Sequence, residues 1–365
     1  MHVIVSRTAL LEVLNAASTV VASRTTRDIL KCVRLTTVND VLLVCATDLE
    51  VGLRGTVRQV EVKSPGDVLV PVDKLGQITR ESVDETLLLE TEEDKCHIRG
   101  ADSHFEIYGH DPAEFPPVPD LEGEADFEVD ASALQGLIER TVFAVAKEST
   151  RYAINGVLWE KHGHKLSLVS TDGRRLAWAG RAVEKAGGED VQRIVPVKTV
   201  AVLQRILANV EGPAMVQLGE NQIVVRAGGY VVSSALVEGH FPQYKDVVPK
   251  DSDKKIEMNT EELLSGIKRA ALLTNEHSKG VRMKFCDGRL VLSSRAPEQG
   301  EATISMVAGY EDVPLEIGFN PVFLQEALRV AGMPTITLEL KDGSRPGIVR
   351  AGEEFLYVIM PVSLT

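Results

Sequence analysis

The sequence predicts an α+β fold made of three repeated domains, each with two helices packed on short antiparallel strands. Two observations lead to this prediction: three sequence markers recur in one order at nearly constant spacing, and turn dipeptides are dense between the predicted helices. The chain has 365 residues, which is too long for one ordinary hydrophobic core. The predicted domains are 1–122, 123–250 and 251–365.

The first marker is an alternating strand that runs into a helix, as in "VIVSRTALLEVL" at 3–14. A small polar residue stands at each helix entry: Ser6, Asp130 and Asn259, separated by 124 and 129 residues. Such side chains accept hydrogen bonds from the free amides of a first helical turn. We therefore expect a helix to begin at each of these positions.

The second marker is a strand followed by a turn, "LLVCATDLEV" at 42–51, "LSLVSTDGRR" at 166–175 and "LVLSSRAPEQ" at 290–299. The third is a strand that enters a second helix, where Pro71 and Pro196 are 125 residues apart. Self-similarity at a fixed period is the signature of repeated units. The six helices are expected at 6–18, 73–80, 132–147, 198–207, 260–273 and 320–330.

Turn signals fill the segments between the helices. Four dipeptides are typical of tight hairpin turns: Asn155-Gly156, Asp172-Gly173, Asp287-Gly288 and Asp342-Gly343. Two proline-containing segments, 110–120 and 239–255, lie at the domain boundaries and resemble one another. The sequence therefore indicates antiparallel sheets and one linker used twice.

The composition, with 44% hydrophobic and 25% charged residues, is typical of soluble globular proteins. The four cysteines form no Cys-x-x-Cys pair, which argues against a zinc site and favours the reducing cytoplasm. No apolar run reaches the roughly 18–20 residues that span a bilayer. The first residues show no secretory signal. We expect a cytoplasmic protein.

The net charge of −13 argues against a wholly basic nucleic-acid binder. The six predicted helices nevertheless sum to +4, so the rest of the chain carries −17. This segregation suggests one surface that can face phosphates. Solvated helix faces explain the same charges about equally well.

An enzyme is the principal alternative. Ser265 and Lys268 match a Ser-x-x-Lys pattern, but they lie in the middle of a predicted helix without any supporting motif. No Gly-Lys pair exists for a Walker phosphate loop. His162 and His164 lack a third metal ligand. We expect no catalytic residue, metal or cofactor. A second alternative is a peptide-binding scaffold that never meets DNA.

Eight segments in order give the sequence a specific resemblance. They are "ATDLEVGLRG", "RYAINGVLWE", "STDGRRLAWAG", "VEGHFPQYKDVVP", "AALLTNEHSKGVR", "APEQGEA", "LEIGFNPVFLQEAL" and "YVIMPVSL". Over Val3–Leu364 the chain resembles the bacterial DNA polymerase III beta subunit family, the sliding clamps. The resemblance implies the DNA-clamp fold, with two chains head to tail in a homodimeric ring of six domains around duplex DNA. It also implies a processivity factor without chemistry of its own, a non-catalytic subunit of the polymerase holoenzyme.

In that family an apolar cleft receives short peptides from partner proteins. The resemblance implies these partners: the replicative DNA polymerase, the clamp loader, translesion polymerases, and mismatch-repair and ligase-type proteins. The implied cleft residues are Ile154, Thr171, Gly173, Arg174, Arg175, Leu176, Pro242, Val247, Ser344, Pro346, Val358, Met360, Pro361 and Val362. Asp172 is expected to be a turn residue, and Val358–Val362 also fits an ordinary buried edge strand. Asp246 and Ser363 make the rim less positive than is usual in the family.

The resemblance also implies DNA contacts and a dimer seam. The implied DNA-binding residues are Arg24, Lys147, Tyr152, Lys198 and Arg205, and Arg7, Lys74, Arg80 and Arg140 are further candidates on the inner helices. At the seam, Phe105 and Ile107 of one chain are expected against Leu272 and Leu273 of the other, with Lys74 facing Glu298. Phe105 and Ile107 alternate as they would on an edge strand with one apolar face.

Overall fold

The computed structural model describes residues 1–22, 25–147, 153–187, 189–274, 280–297 and 299–363. Contacts between residues divide the chain into two compact units. The first unit contains 1–135, 183–189 and 198–236, and the second contains 136–182, 190–197 and 237–365.

Each predicted repeat contains two helices and several strands, as the sequence markers predict. Among the described residues the helices are α1 (Arg7–Ala17), α2 (Val72–Glu81), α3 (Ala131–Val142), α4 (Val197–Leu207), α5 (Thr260–Ala270) and α6 (Pro321–Val330). The first predicted repeat has β1 (His2–Ser6), β2 (Cys32–Val38), β3 (Val41–Thr47), β4 (Val51–Val57), β5 (Val60–Ser64), β6 (Asp67–Pro71), β7 (Thr86–Glu92), β8 (Lys95–Arg99) and β9 (His104–Tyr108). The second has β10 (Phe127–Asp130), β11 (Gly156–His162), β12 (Lys165–Thr171), β13 (Arg175–Ala182), β14 (Lys185–Ala186), β15 (Val191–Pro196), β16 (Pro213–Leu218), β17 (Gln222–Ala227) and β18 (Tyr230–Ala235). The third has β19 (Lys254–Asn259), β20 (Val281–Cys286), β21 (Arg289–Ala296), β22 (Gly300–Val307), β23 (Leu315–Phe319), β24 (Thr335–Leu340), β25 (Gly347–Ala351) and β26 (Phe355–Ile359).

The three predicted helix entries are confirmed. The Ser6 hydroxyl accepts a hydrogen bond from the Ala9 amide, 3.4 Å away. The Asn259 side chain accepts from the amide of Glu262 at 2.9 Å. Asp130 accepts from two first-turn amides, at 2.9 and 3.1 Å. Each side chain satisfies amides that have no partner within the helix.

The end of α3 differs from its prediction, because the helix stops at Val142 rather than at 147. The Thr141 hydroxyl donates to the carbonyl oxygen of Leu137 at 2.8 Å. The next amides then bond three residues back instead of four, from Ala144 to Thr141 and from Val145 to Val142. A hydroxyl that uses a helical carbonyl in this way favours a tighter final turn.

The first unit contains two sheets, and all of their described strand pairs are antiparallel. One has five strands in the order β5-β1-β7-β8-β9, and the other has nine in the order β14-β10-β16-β17-β18-β4-β3-β2-β6. In the larger sheet β4 pairs with β18, with Val51 opposite Ser234. This sheet therefore runs from the first predicted repeat into the second.

The second unit follows the same plan. Its larger sheet has eight strands in the order β15-β11-β12-β13-β26-β25-β24-β19, and the smaller has the order β22-β21-β20-β23. Strand β13 pairs with β26 and joins the second predicted repeat to the third, with Leu176 opposite Val358. Each unit thus shares a sheet between neighbouring repeats, and the domain boundaries at 122 and 250 stay a prediction.

Two of the four predicted hairpin turns have the left-handed backbone that their glycines favour. Gly173 has φ +84°, and Asp287 and Gly288 have φ +51° and +71°. The prediction of a turn at Asn155-Gly156 is wrong, because Gly156 begins β11. A Cβ at Gly156 would lie 2.7 Å from the Val195 carbonyl oxygen, so this glycine permits close approach of β15.

Buried apolar side chains from the strands and from the helices form the cores of the two units. Within the described residues, no helix is both long and apolar enough to cross a membrane. Burial raises the pKa of the Cys32 thiol to about 11 and that of Cys96 to about 12. Neither cysteine is therefore a thiolate nucleophile near neutral pH.

Candidate functional site

The turn between β12 and β13 is held by its own side chains. The Thr171 hydroxyl donates to the Arg175 carbonyl oxygen at 2.6 Å and accepts from the Gly173 amide at 3.1 Å. The Asp172 carboxylate accepts from the amides of Arg174 and Arg175 at 3.0 and 3.2 Å. Asp172 is therefore a turn residue, as the sequence predicts.

The same turn recurs between β3 and β4 in the first unit. The Thr47 hydroxyl donates to the Val51 carbonyl oxygen at 2.9 Å and accepts from the Leu49 amide at 3.0 Å. Asp48 accepts from the amides of Glu50 and Val51 at 3.0 and 2.8 Å. Because one hydrogen-bonding pattern serves both turns, the aspartate at each is explained without any chemical role.

Beside the turn at 171–175 lies an apolar floor. Leu176 and Val358 face each other across β13 and β26, and both are buried in one cluster with Leu158 and Ile348. Ile154 is also buried, at the start of the segment that leads into β11. These side chains are packed within the second unit, so they supply a floor rather than exposed contacts.

The linker at 242–247 and the end of the chain carry the exposed apolar side chains. Val247 is 57% exposed and Met360 is 45% exposed, whereas Pro242, Pro361 and Val362 are half-buried. Large apolar side chains that remain exposed beside a buried apolar floor are typical of a binding groove. Methionine suits such a groove because its unbranched side chain adapts to different partners.

Backbone hydrogen bonds fix the terminal segment. The Met360 amide donates to the Arg174 carbonyl oxygen at 2.9 Å, and the Val362 amide donates to that of Gly318 at 2.8 Å. The turn between β24 and β25 adds an exposed Ser344 and a half-buried Pro346. Asp342 accepts from the Ser344 amide at 2.8 Å and shapes this turn. The structure thus places all the predicted cleft residues in the second unit.

The two adjacent arginines differ. Arg174 is exposed, whereas the Arg175 side chain is buried and donates to the carboxylates of Asp172 and Glu326. Its guanidinium also donates to the Phe143 carbonyl oxygen at 2.8 Å and lies 4.1 Å from the centre of the Phe323 ring. Because these internal partners occupy the Arg175 guanidinium, the prediction that it lines the cleft needs a correction: it supports the turn from behind. Of the two adjacent arginines, Arg174 is the one that can offer a cation at the rim.

The predicted DNA-binding residues have different surroundings. Arg24 and Tyr152 lie outside the described residues. Lys147 is exposed beyond the end of α3, and Arg205 lies on α4 at a cavity of about 280 Å³ between that helix and α1. Lys198 forms an ion pair with the Asp48 carboxylate. Lys198 is therefore partly neutralised within the first unit, which the sequence did not indicate.

The further candidate cations are also partly engaged. Arg7 donates to the Asp84 carbonyl oxygen at 2.9 Å, and Arg80 donates to Asn15 at 3.0 Å. Arg140 lies 3.5 Å from the Glu354 carboxylate. With the observed helix bounds the six helices sum to +2, not +4, because Lys147 falls outside α3 and Glu81 falls inside α2. The predicted segregation of charge is weaker than expected.

The predicted seam residues that the structure describes differ in exposure. Strand β9 is an edge strand of the five-stranded sheet, and its Phe105 is exposed while Ile107 is buried within the first unit. Leu272 is 76% exposed on the short turn that follows α5, and Leu273 is half-buried there. Lys74 is exposed, and Glu298 lies outside the described residues.

The alternative sites gain no support. His162 lies 3.0 Å from the Asp190 carboxylate at a hairpin tip where Gly163 has φ +53°. Ser265 is exposed in the middle of α5, and Lys268 is exposed in its last turn. In the part of the chain that the structure describes, no three His, Cys, Asp or Glu side chains are placed to hold a metal ion.

Two residues of the cleft region were missed by sequence reasoning. Tyr244 is buried among the floor residues, and its hydroxyl donates to the buried carboxylate of Glu160. In "LWEKHGH" a glutamate beside a lysine gives no signal of burial. The pairing of β11 with β15, which buries Glu160, is visible only in the fold.

The sequence matches family models for three consecutive domains of one family. They are the DNA polymerase III beta subunit N-terminal domain over residues 1–119, the central domain over 128–243 and the C-terminal domain over 245–363. Among curated relatives, the beta sliding clamp of Pseudomonas putida is 34% identical over 367 residues, with both chains covered completely. That of Vibrio cholerae is 32% identical, with 99% of both chains covered.

Solved structures agree in fold over the full length. The DNA polymerase III subunit beta of Pseudomonas aeruginosa matches with a TM-score of 0.93 and 33% identity, covering 100% of both chains. The sliding clamp of that organism bound to griselimycin matches with a TM-score of 0.94, 33% identity and the same coverage. The sliding clamp of Bacillus subtilis matches with a TM-score of 0.95 and 25% identity over 100% of both chains.

Proposed function

The chain belongs to the DNA polymerase III beta subunit family, and we propose that it recruits its partners through the cleft beside the turn at 171–175. It is a DNA sliding clamp with no chemistry of its own. The observation that supports the cleft is that two exposed apolar side chains, Val247 and Met360, closely follow in sequence the residues Tyr244 and Val358 of the buried floor cluster. The proposed ligand is a short apolar peptide segment of a partner protein.

The proposed partners are the replicative DNA polymerase, the clamp loader, translesion polymerases, and mismatch-repair and ligase-type proteins. One shared cleft would make them compete. Arg174 gives the rim an exposed cation, while in the linker the exposed Asp246 offsets the charge of its exposed neighbour Lys245. We therefore expect this clamp to favour peptides with fewer acidic residues than a basic rim would select. Griselimycin, which binds the Pseudomonas aeruginosa clamp, is proposed to bind here as well.

The proposed assembly is a head-to-tail homodimer that closes around duplex DNA in the cytoplasm. Its seam would join the edge strand β9 to the region of Leu272, since an edge strand has unpaired backbone groups that can pair with another chain. Phe105 and Leu272 are the exposed apolar side chains available there. Contact with DNA is proposed to use few strong phosphate contacts, because several candidate cations already have internal partners.

The test is a loading experiment on nicked circular DNA with the clamp loader and ATP from the same source. After loading, high salt screens phosphate contacts, and the DNA is then linearised. Salt-resistant retention on the circle that is lost on cutting is the expected result, because a ring is held by topology. Salt-labile binding that cutting does not change, with the loader active on a control clamp, would contradict the proposal.

A further inference from the structure

The linker segment that carries Pro242 and Val247 is held by one buried tyrosine. Tyr244 is 8% exposed and belongs to the same apolar cluster as the floor residues Leu176 and Val358. Its ring therefore joins the wall of the proposed cleft to its floor. The residue stands between Pro242 and Val247 in sequence, so its position constrains both.

Backbone hydrogen bonds transmit this position along the linker. The Tyr244 amide donates to the Pro242 carbonyl oxygen at 2.7 Å. The Val247 amide donates to the Tyr244 carbonyl oxygen at 3.1 Å and closes the short helical turn Tyr244–Asp246. Pro242 and Val247 are thus both hydrogen-bonded to the backbone of Tyr244.

The hydroxyl of Tyr244 donates to a carboxylate in the sheet. Glu160 on β11 is 3% exposed, and its Oε2 accepts the Tyr244 hydrogen bond. Its other oxygen accepts from the Gln192 side chain at 2.5 Å and lies 3.8 Å from the Lys245 ammonium. Gln192 is directly opposite Glu160 on β15, so the acceptor is fixed by the strand pairing.

A buried carboxylate held in this way is a strong acceptor at a defined point. Hydrogen bonds to an ionised group are stronger than neutral ones, and a buried charge needs its partners. Burial and the adjacent Glu160 carboxylate raise the pKa of the Tyr244 phenol above its usual range, so the hydroxyl keeps its proton and remains a donor. The hydrogen bond from Tyr244 to Glu160 therefore ties the linker to the sheet in a fixed direction.

We infer that the hydrogen bond between Tyr244 and Glu160 sets the position of the cleft wall before a peptide arrives. This inference rests on the proposed function of the cleft. Tyr244 is a positioning residue, because it acts through Pro242 and Val247 rather than through the side chains that a ligand contacts. A wall ordered in advance lowers the entropy lost on binding and slows dissociation.

The test uses the full-length protein with griselimycin as the probe and measures its affinity and dissociation rate. Tyr244→Phe keeps the ring but removes the hydroxyl, and we expect binding weaker by about five- to tenfold, mainly through faster dissociation. Glu160→Ala should give a similar loss. Glu160→Gln keeps an oxygen that can accept from Tyr244, so it should retain most of the affinity. The variant that combines Tyr244→Phe and Glu160→Ala should lose no more affinity than Glu160→Ala alone, because both changes remove the hydrogen bond between Tyr244 and Glu160.

Tyr310→Phe is the matched control. Tyr310 is also buried in the second unit, at 4% exposure, and donates one hydrogen bond, to the Val313 carbonyl oxygen at 2.5 Å. Tyr310 lies outside the cleft, so removal of its hydroxyl should leave griselimycin affinity within about twofold, although each variant loses a hydrogen bond donated by a buried tyrosine. Thermal unfolding of each variant establishes that it is folded.

Three results would overturn the inference. Tyr244→Phe could bind as tightly as the parent, Tyr310→Phe could weaken binding equally, or the losses of the two single variants could add. Two other results would contradict the proposed function of the cleft itself. If the parent protein does not bind griselimycin, or if Val247→Ala and Met360→Ala do not weaken binding, the proposed function of this site fails and the inference fails with it.

Discussion

At the scale of single residues, Arg175 connects three parts of the second unit. Its guanidinium bridges the turn aspartate Asp172, Glu326 on α6 and the carbonyl oxygen of Phe143. A planar fork with five donors can serve these partners together, and a lysine ammonium cannot. The turn beside the cleft is therefore supported from beneath by an arginine that a ligand need not touch.

Arg175→Lys should destabilise the second unit by about 2 kcal/mol, because buried acceptors lose their donors. Urea unfolding measures the change in midpoint. Arg174→Lys is the control, since that side chain is exposed and the same substitution should stay within about 0.5 kcal/mol of the parent. Equal effects at 174 and 175 would contradict the framework role of Arg175.

If the proposed cleft binds ligands, two exposed side chains should contribute to the affinity. Val247→Ala removes two methyl groups and should weaken griselimycin binding by about 1 kcal/mol, or about fivefold in Kd. Met360→Ala removes more apolar surface and should cost about 2 kcal/mol. Val313→Ala is the control, because Val313 is 67% exposed in the same unit but outside the cleft. Calorimetric titration measures each Kd, and unchanged affinity in both cleft variants would argue against this site.

The sequence could predict those features of single residues that depend on hydrogen bonds between neighbours in the chain. The turn at Asp172-Gly173 was predictable because its hydrogen bonds and its φ of +84° involve only neighbouring residues. The engagement of Arg175 and Lys198 was not, because Glu326 and Asp48 are 151 and 150 residues away in sequence. Glu160 was missed for the same reason. The ion pairs of a site depend on long-range pairing that a single sequence does not display.

At the scale of elements, a polar residue at the helix entry makes a local contribution that can be measured. Asn259 accepts from the Glu262 amide at the start of α5, and no other described hydrogen bond of that side chain contributes to the cap. Asn259→Ala should destabilise α5 by about 1 kcal/mol. Hydrogen exchange of the α5 amides detects this as faster exchange in the first turn.

Ser265→Ala is the control for the cap. Ser265 is exposed in the middle of α5, and alanine is the better helix former by a few tenths of a kcal/mol. Exchange should therefore be equal or slower. The same variant also tests the Ser-x-x-Lys alternative, because it should load onto nicked circular DNA as well as the parent. A loss of loading without loss of folding would show that Ser265 has a role outside helix formation.

The elements themselves were predictable where side chains at the boundary act locally. The capping residues located three helix starts, since each satisfies amides one turn away. The end of α3 was predicted five residues too late, because its apolar periodicity continues past Thr141 while the hydroxyl of that residue favours a tighter turn. Gly156 was misassigned because a strand that needs close approach of a neighbour and a tight turn both favour glycine.

At the scale of the whole molecule, the repeat explains why neighbouring domains share sheets. Strand β18 extends the sheet of β4, and β26 extends the sheet of β13. A chain with three such repeats joins them twice, and among the edge strands that remain are β9 in the first unit and β22 in the second. The proposed head-to-tail pairing with a second copy of the chain would cover β9 and close a ring.

Leu272→Asp should prevent closure of that ring. Leu272 is 76% exposed in the single chain, so an aspartate there is harmless until the seam forms. In the dimer the carboxylate would be placed against the apolar side chains of the partner's edge, and burying it without a partner costs several kcal/mol. Sedimentation should show monomers at micromolar concentration, with thermal unfolding of the chain unchanged.

Val313→Asp is the control for this prediction, because it places the same charge at a valine of similar exposure, 67%, away from the expected seam. It should remain dimeric and be retained on nicked circular DNA in high salt. Leu272→Asp should lose that retention while it still binds griselimycin, because the cleft lies within a single chain.

Dimerisation and DNA retention by Leu272→Asp equal to those of the parent would place the seam elsewhere. Loss of griselimycin binding together with retention would instead mean that this segment supports the cleft. The variant thus separates the two tasks of the clamp, which is held on DNA by the ring and recruits partners through a cleft in each chain.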